Sequence, residues 1–183
     1  MDKEPPQNQE NDQQEQILPL PSGVALPVRV VRQDDASALQ RFHSRCSERS
    51  IYLRFFGSLE ELREEKARHF ASTDGSDHFG FVALDPDDQN EIIAIVRYDR
   101  EPGSEKAEYA ALVEDRWQDQ GIGTALTRLL IEEAREKGVR FFYALVLGEN
   151  KRMLQLLRHL GLPEQERQDT ELRAKRIEVE LPS

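Results

Sequence analysis

The residues whose types and spacing could do chemistry lie in Leu112-Val113-Glu114-Asp115-Arg116-Trp117-Gln118-Asp119-Gln120-Gly121-Ile122-Gly123-Thr124. Two glycines one residue apart let the backbone turn tightly and approach a ligand. The amides there open a helix and point outward as a row of donors for an anion. The common nucleotide loops need other spacings. Leu126 stands where G-x-G-x-x-G requires its third glycine, and no Gly-Lys-Ser/Thr is present. Glu108 stands on the strand that leads into this loop and is the candidate general base, with a partly apolar strand environment expected to raise its pKa. The alternative is a solvated strand-edge carboxylate.

The elements that must position these groups are legible from periodicity. Alternation of Arg29 against valines predicts a strand at 27–31, the apolar runs 78–84 and 91–98 flank the polar turn 85–90 as a hairpin, and 107–113 makes a third member of this meander. The apolar run Phe141–Leu147 is too hydrophobic for a sheet edge, and 173–181 reads as a last strand with one polar face. Helices are expected from Asp34, as N-cap, to Cys46; from the Ser58-x-x-Glu61 capping box to Ala71; from Thr124 to Lys137, stopped by Gly138; and from Asn150, as N-cap, to Leu160. The order βααβββαβαβ(β) is a mixed α/β sheet with a strand–loop–helix unit at its middle. Residues 1–17, almost free of apolar side chains, read as a disordered acidic, Gln-rich tail, so structure is expected to begin near residue 18 and to form one domain, 18–183.

Composition narrows the classes. The 35 acidic residues against 25 Lys and Arg give a net charge of −10, which repels phosphate backbones and disfavours nucleic acid as the partner, while a cationic amine would be attracted. No apolar run is long enough to cross a bilayer and no signal peptide opens the chain, so no membrane partner is expected. The lone Cys46 cannot form an internal disulfide; a cytoplasmic protein is the expectation. His43, His69, His78 and His159 lack zinc spacing, so no metal is expected.

Gln118-Asp119-Gln120-Gly121-Ile122-Gly123 resembles the Gln/Arg-x-x-Gly-x-Gly/Ala motif of the GNAT superfamily of acyl-CoA-dependent N-acetyltransferases. The surrounding strands and helices match over about residues 26–181. Ser50-Ile51-Tyr52-Leu53-Arg54-Phe55-Phe56, Ala107-Glu108 and Glu149-Asn150-Lys151-Arg152-Met153-Leu154 look like the Pat-type protein lysine acetyltransferases. The resemblance implies a GNAT fold, βααβββαβαββ, with a central mixed sheet flanked by helices. It also implies acetyl-CoA as the acyl donor, its pyrophosphate held by amides of Gln118, Asp119, Gln120, Gly121, Ile122, Gly123 and Thr124. Leu112 and Val113 would bind the pantetheine through their backbones, Asn150 would belong to the same site, and Glu108 would be the catalytic base. The implied acceptor is a primary amine, foremost a protein lysine, with acyl-CoA synthetases among the family's targets.

Two departures stand out. Leu157 occupies the position where many members carry a Tyr that protonates the leaving thiolate; Tyr143 is a possible substitute, but no protein acid is expected to be needed. Asp119 and Gln120 stand where basic residues are frequent, leaving Arg116, Arg128 or Arg152 to compensate. Glu114 and Asp115 are expected on the loop surface, and Trp117 is expected to anchor the loop. Tyr52, Phe55 and Phe56 are expected to fill core, the alternative being an acceptor lining; Arg54 is the member of that run which packing explains least. Rival functions are a small-molecule amine acetyltransferase and a non-catalytic acyl-CoA-sensing module.

Overall fold

A computed structural model describes residues 14–57 and 61–183. Its strands are β1 (Gln16–Pro19), β2 (Ala25–Val30), β3 (His78–Leu84), β4 (Ile92–Arg100), β5 (Lys106–Val113), β6 (Phe141–Leu147), β7 (Glu164–Asp169) and β8 (Ala174–Glu180). Its helices are α1 (Ala36–Arg45), α2 (Glu48–Phe55), α3 (Glu64–Ala71), α4 (Ile122–Glu136) and α5 (Lys151–His159). The strands form one eight-stranded sheet in the order β1-β2-β3-β4-β5-β6-β8-β7. All pairings are antiparallel except β5 with β6.

That single parallel contact positions the site. β5 is registered with β4 along its length, from Arg100↔Ala107 to Ala94↔Val113, and every residue of β6 is registered with β8. Between them only Lys106↔Phe141, Ala107↔Phe142 and Glu108↔Tyr143 pair. Beyond Glu108 the two halves of the sheet diverge, which leaves facing strand edges with backbone groups unmatched by a neighbour.

The period of two on β5 sends successive side chains to opposite faces. Tyr109, with Ala107, joins the larger core, where α4 and α5 bury Ile122, Leu126, Leu130, Leu154 and Leu157 against Tyr98, Phe142 and Val179. Leu112 packs on the smaller core, where α1 and α3 cover Val82, Leu84 and Ile92 with Leu39, Phe42, Ala67 and Ala71.

Several boundaries differ from the sequence expectation. The sheet begins at Gln16, because Gln16–Pro19 pairs with β2. Asp35, not Asp34, precedes α1. Its carboxylate accepts from the Arg32 amide (2.8 Å) and from the buried Arg29 guanidinium (2.7 and 2.9 Å). The expected capping box falls on Ser58–Glu60, outside the described residues, and α3 starts at Glu64 after Arg63. The run Ser50–Phe56 belongs largely to an additional helix, α2, capped by the Ser47 hydroxyl, which accepts from the Ser50 amide at 3.1 Å. β7, wholly polar, forms the far edge of the sheet beside β8.

Candidate functional site

The diverging strands enclose a cleft of 330 Å³, lined on one wall by Glu108 to Val113 and on the other by Ala144, Leu145 and Val146. Residues of α2 cover it and Asn150, Arg152, Met153 and Leu156 lie along its mouth. The cleft has two chemically different ends.

At the loop end, Asp119 (φ 61°) and Gly121 (φ 81°) adopt left-handed conformations that swing the chain into α4. From Asp119 to Thr124 no backbone amide has an acceptor among the described residues; the first amide of this region to be matched is that of Ala125, which donates to the Gly121 carbonyl at 3.0 Å. Free amides at a helix start carrying the positive end of the helix dipole suit a diphosphate. Ile122 contributes only its backbone, since its side chain is buried in the larger core. At Gly123 a Cβ would lie 2.9 Å from Leu156 Cδ1, so a side chain there would have to displace the end of that leucine.

The Gln118 side chain turns inward. Its Nε2 donates to the Val113 carbonyl (2.8 Å) and the Ser50 hydroxyl (3.1 Å), tying the end of β5 to α2. Asp115 completes the tie by accepting from the Ser47 amide and hydroxyl, both at 2.7 Å, and from the Ser50 hydroxyl at 2.9 Å. Burial alone would raise the Asp115 carboxyl, but these donors outweigh it and hold it below the ordinary carboxylate value. Glu114, expected at the surface, is 3% exposed and paired with Arg45 and Arg116. Both acids therefore brace the loop. Trp117 packs on the larger core, as an anchor should.

Of the three arginines expected to compensate for the missing basic residues, Arg116 is committed to Glu114 and Asp85, and Arg128 donates to the His159 carbonyl. Only Arg152 lines the cleft, sharing its guanidinium with Asp119 at 3.1 Å. Gln120 reaches no further than the Arg116 carbonyl, at 3.4 Å. Asn150 caps α5 by accepting from the Met153 amide at 3.2 Å, and it also lines the cleft. Leu112 and Val113 both line the wall, the Val113 carbonyl already accepting from Gln118.

At the other end stands Glu108, at the point where β5 and β6 part. It is exposed, so the apolar surroundings expected around it are absent. Opposite it on β4 is Asp99, which accepts from Arg97 (2.6 Å) and His78 (2.7 Å). Arg54 reaches the same region from α2 and borders the cleft with Leu53, Phe55 and Phe56. Phe55 and Phe56 are only partly buried and line the cleft rather than filling core, while Tyr52 is exposed and borders neither core nor cleft. Tyr143, in register with Glu108, lies under the Arg176 guanidinium, 3.8 Å from its ring centre, and does not border the cleft. Leu157 is core.

Sequence reasoning missed two supports. Thr127, fully buried, bonds the Tyr109 hydroxyl at 2.6 Å and donates to the Gly123 carbonyl at 2.6 Å, joining β5 to the first turn of α4. The α2 helix was signalled only by Ser47 as a cap. Cys46 is partly buried, and that burial pushes its thiol up to about 12, which leaves it a poor nucleophile at neutral pH. No cluster of potential metal ligands occurs among the described residues. No described helix is long and apolar enough to cross a membrane.

The arrangement agrees with what the chain is similar to. The acetyltransferase (GNAT) family matches residues 39–162. The GNAT domain of S. lividans PAT superposes with a TM-score of 0.83 at 32% identity, covering 91% of this chain and 97% of that one. An acetyltransferase of Pseudomonas aeruginosa is 28% identical over 143 residues, 78% of this chain and 77% of its own. Acetyltransferase Pat of Mycolicibacterium smegmatis is 34% identical over 120 residues, 63% of this chain but only 34% of that protein's length. The open amides and the cleft between parted strands fit the acyl-CoA donor that this family implies, and the chain belongs to the GNAT family of acetyltransferases.

Proposed function

We propose that this acetyltransferase moves an acetyl group from acetyl-CoA to a protein lysine side chain, with Glu108 as the general base and residues 18–183 as the acetyltransferase domain. The observation that carries this reading is the pairing of an exposed Glu108 at the parting of β5 and β6 with a row of unmatched amides at the other end of the same cleft. An exposed base can meet a lysine on a folded protein surface. A carboxylate sealed within the fold would accept only a free molecule.

The residues divide the work. Amides from Asp119 to Thr124 would hold the pyrophosphate, and Arg152 would add charge at the mouth. The backbones of Leu112 and Val113 would align the pantetheine, while Gln118 and Asn150 keep the two walls in place. The CoA thioester supplies an activated acyl carbon. A lysine ammonium, with a pKa near 10.4, is almost wholly charged at pH 7 and must lose a proton before its nitrogen can attack. Glu108 takes that proton, directly or through water, and Arg54 beside it opposes the positive charge of the arriving ammonium. With Leu157 in the core and Tyr143 outside the cleft, the thiolate leaves without a protein acid, which its pKa of about 8.5 permits.

CoA release measured with acetyl-CoA against lysine-containing proteins, an acyl-CoA synthetase among them, and against free amines tests the acceptor. Turnover with proteins is expected. Turnover with free amines alone would replace the lysine reading, and no turnover with either would remove it.

A further inference from the structure

Behind the wall formed by Ala110, Ala111 and Leu112 lies a second, smaller cavity of 30 Å³, bounded by Leu39, Phe42, His43, Arg54, Phe55 and Phe70 among others. It shares Arg54, Phe55 and that stretch of β5 with the main cleft, so Arg54 stands at the junction of the two. The lining is largely hydrocarbon, which makes its three polar members, His43, Arg54 and Arg97, conspicuous. Arg97 is paired with Asp99, and the other two are not so matched among the described residues. Arg54 makes no hydrogen bond or ion pair among the described residues; its guanidinium rests on the rings of Phe55 (4.8 Å to the centre) and Phe70 (5.8 Å). His43 is 5% exposed, and its Nε2 is buried without a partner among the described residues.

The charges around the chamber are unbalanced in the same sense. Lys66 Nζ lies 4.8 Å and 5.9 Å from the same two ring centres, and Arg97 lies 5.6 Å from that of Phe70. Of Arg54, Lys66 and Arg97, only Arg97 has a carboxylate in contact among the described residues, that of Asp99. In a chain of net charge −10, a pocket bordered by a guanidinium and an imidazole nitrogen that have no partner among the described residues is suited to an anion. Desolvation pulls the Arg54 guanidinium down to about 10 against the opposing pull of Glu108, which leaves it still charged at neutral pH.

Resting on the acyl-CoA reading above, we infer that the small cavity receives the far end of a short dicarboxylic acyl group, malonyl or succinyl, with its terminal carboxylate on Arg54 and within reach of His43 Nε2. The volume suits it. A water needs about 10–15 Å³ by this measure, so the cavity accommodates two or three water-sized groups, about the bulk of a carboxylate. The desolvation of Arg54 is already incurred when the chain folds, so an incoming carboxylate gains a charge-assisted, two-pronged contact without that cost. In the transfer the acceptor nitrogen forms a bond to the thioester carbon and the carbon–sulfur bond breaks. CoA leaves as the thiolate, the proton lost by the amine goes to Glu108, and the distal carboxylate is unchanged.

Calorimetric titration of the full chain with acetyl-, propionyl-, malonyl- and succinyl-CoA tests this without an acceptor. At least one dicarboxylic thioester should bind about tenfold or more tighter than acetyl- and propionyl-CoA, the worth of a hydrogen-bonded charge. Arg54→Leu should abolish that advantage and Arg54→Lys should retain part of it. If malonyl- and succinyl-CoA bind no better than propionyl-CoA in the wild-type protein, the inference is wrong while the acetyl-CoA reading stands. An advantage that survives Arg54→Leu in a protein still folded by circular dichroism also overturns it. Failure to bind any of the four would remove both.

Discussion

On the α4/α5 face of the sheet, the fully buried large side chains are hydrocarbon or a tyrosine whose hydroxyl is matched: Tyr98 donates to the Ser76 carbonyl at 2.9 Å and Tyr109 meets Thr127. Only the partly buried Trp117 at its margin leaves a ring nitrogen without a partner among the described residues. On the α1/α3 face, charges enter among the apolar residues. Arg29 pairs with Asp35, Arg97 with Asp99, and Arg54 stands open between two cavities. The same sheet thus carries a scaffold on one side and polar chemistry on the other. Parting β5 from β6 costs strand hydrogen bonds, and a continuous close-packed core behind the parted strands supports the fold they weaken. Charges that must stay available to a ligand lie on the side where packing is least complete.

Three substitutions sharpen that contrast. Phe142→Ala, on the scaffold side, removes a ring that is 1% exposed and sits between Tyr98 (5.7 Å) and Tyr109 (5.6 Å), and should cost about 3–5 kcal/mol in urea unfolding. A loss below about 1 kcal/mol would mean that this core does not support the sheet. Glu108→Gln, on the chemical side, should do the reverse. The CoA-release rate should drop by about 10²–10³-fold, while acetyl-CoA affinity and the unfolding midpoint stay near wild type because the residue is exposed. Unchanged turnover would dismiss Glu108 as the base.

The smallest effect concerns pH. Burial would raise the Asp99 carboxyl, but Arg97 and His78 outweigh it and keep it below its usual value. A carboxylate depressed in the folded state contributes stability above its unfolded pKa of about 3.9, and that stability is lost as pH falls through the folded value. Asp99→Asn should therefore be destabilised by on the order of 1–2 kcal/mol at pH 7, allowing for the partial solvent screening of this side chain. The gap from wild type should close as pH drops below about 4. A gap independent of pH would show that the Asp99 charge is not what matters.

How much of this was legible in the sequence depends on whether a residue answers to a local rule. β6 and α4 follow from periodicity, because one side of each is buried and the burial repeats with the period of the backbone, while β3, buried on both faces, follows from its continuous apolar run. β7 follows no such rule: Glu164 to Asp169 buries neither face and is a strand only because β8 offers it a partner. α2 was hidden for the opposite reason. Ile51, Leu53 and Phe55 alternate with polar residues, and only the Ser47 cap and the contacts to Asp115 make them helical.

The sequence by itself determined the loop. Gly121 and Gly123, the helix that follows and the carboxylate at 108 are local features, set by backbone freedom and dipole direction. Only the tertiary structure decided where the strands part, that Glu114 and Asp115 brace rather than float, and that Arg54 is left without a partner among the described residues. Those outcomes depend on which distant groups arrive beside each side chain, and no spacing along the chain encodes the end of a pairing between β5 and β6.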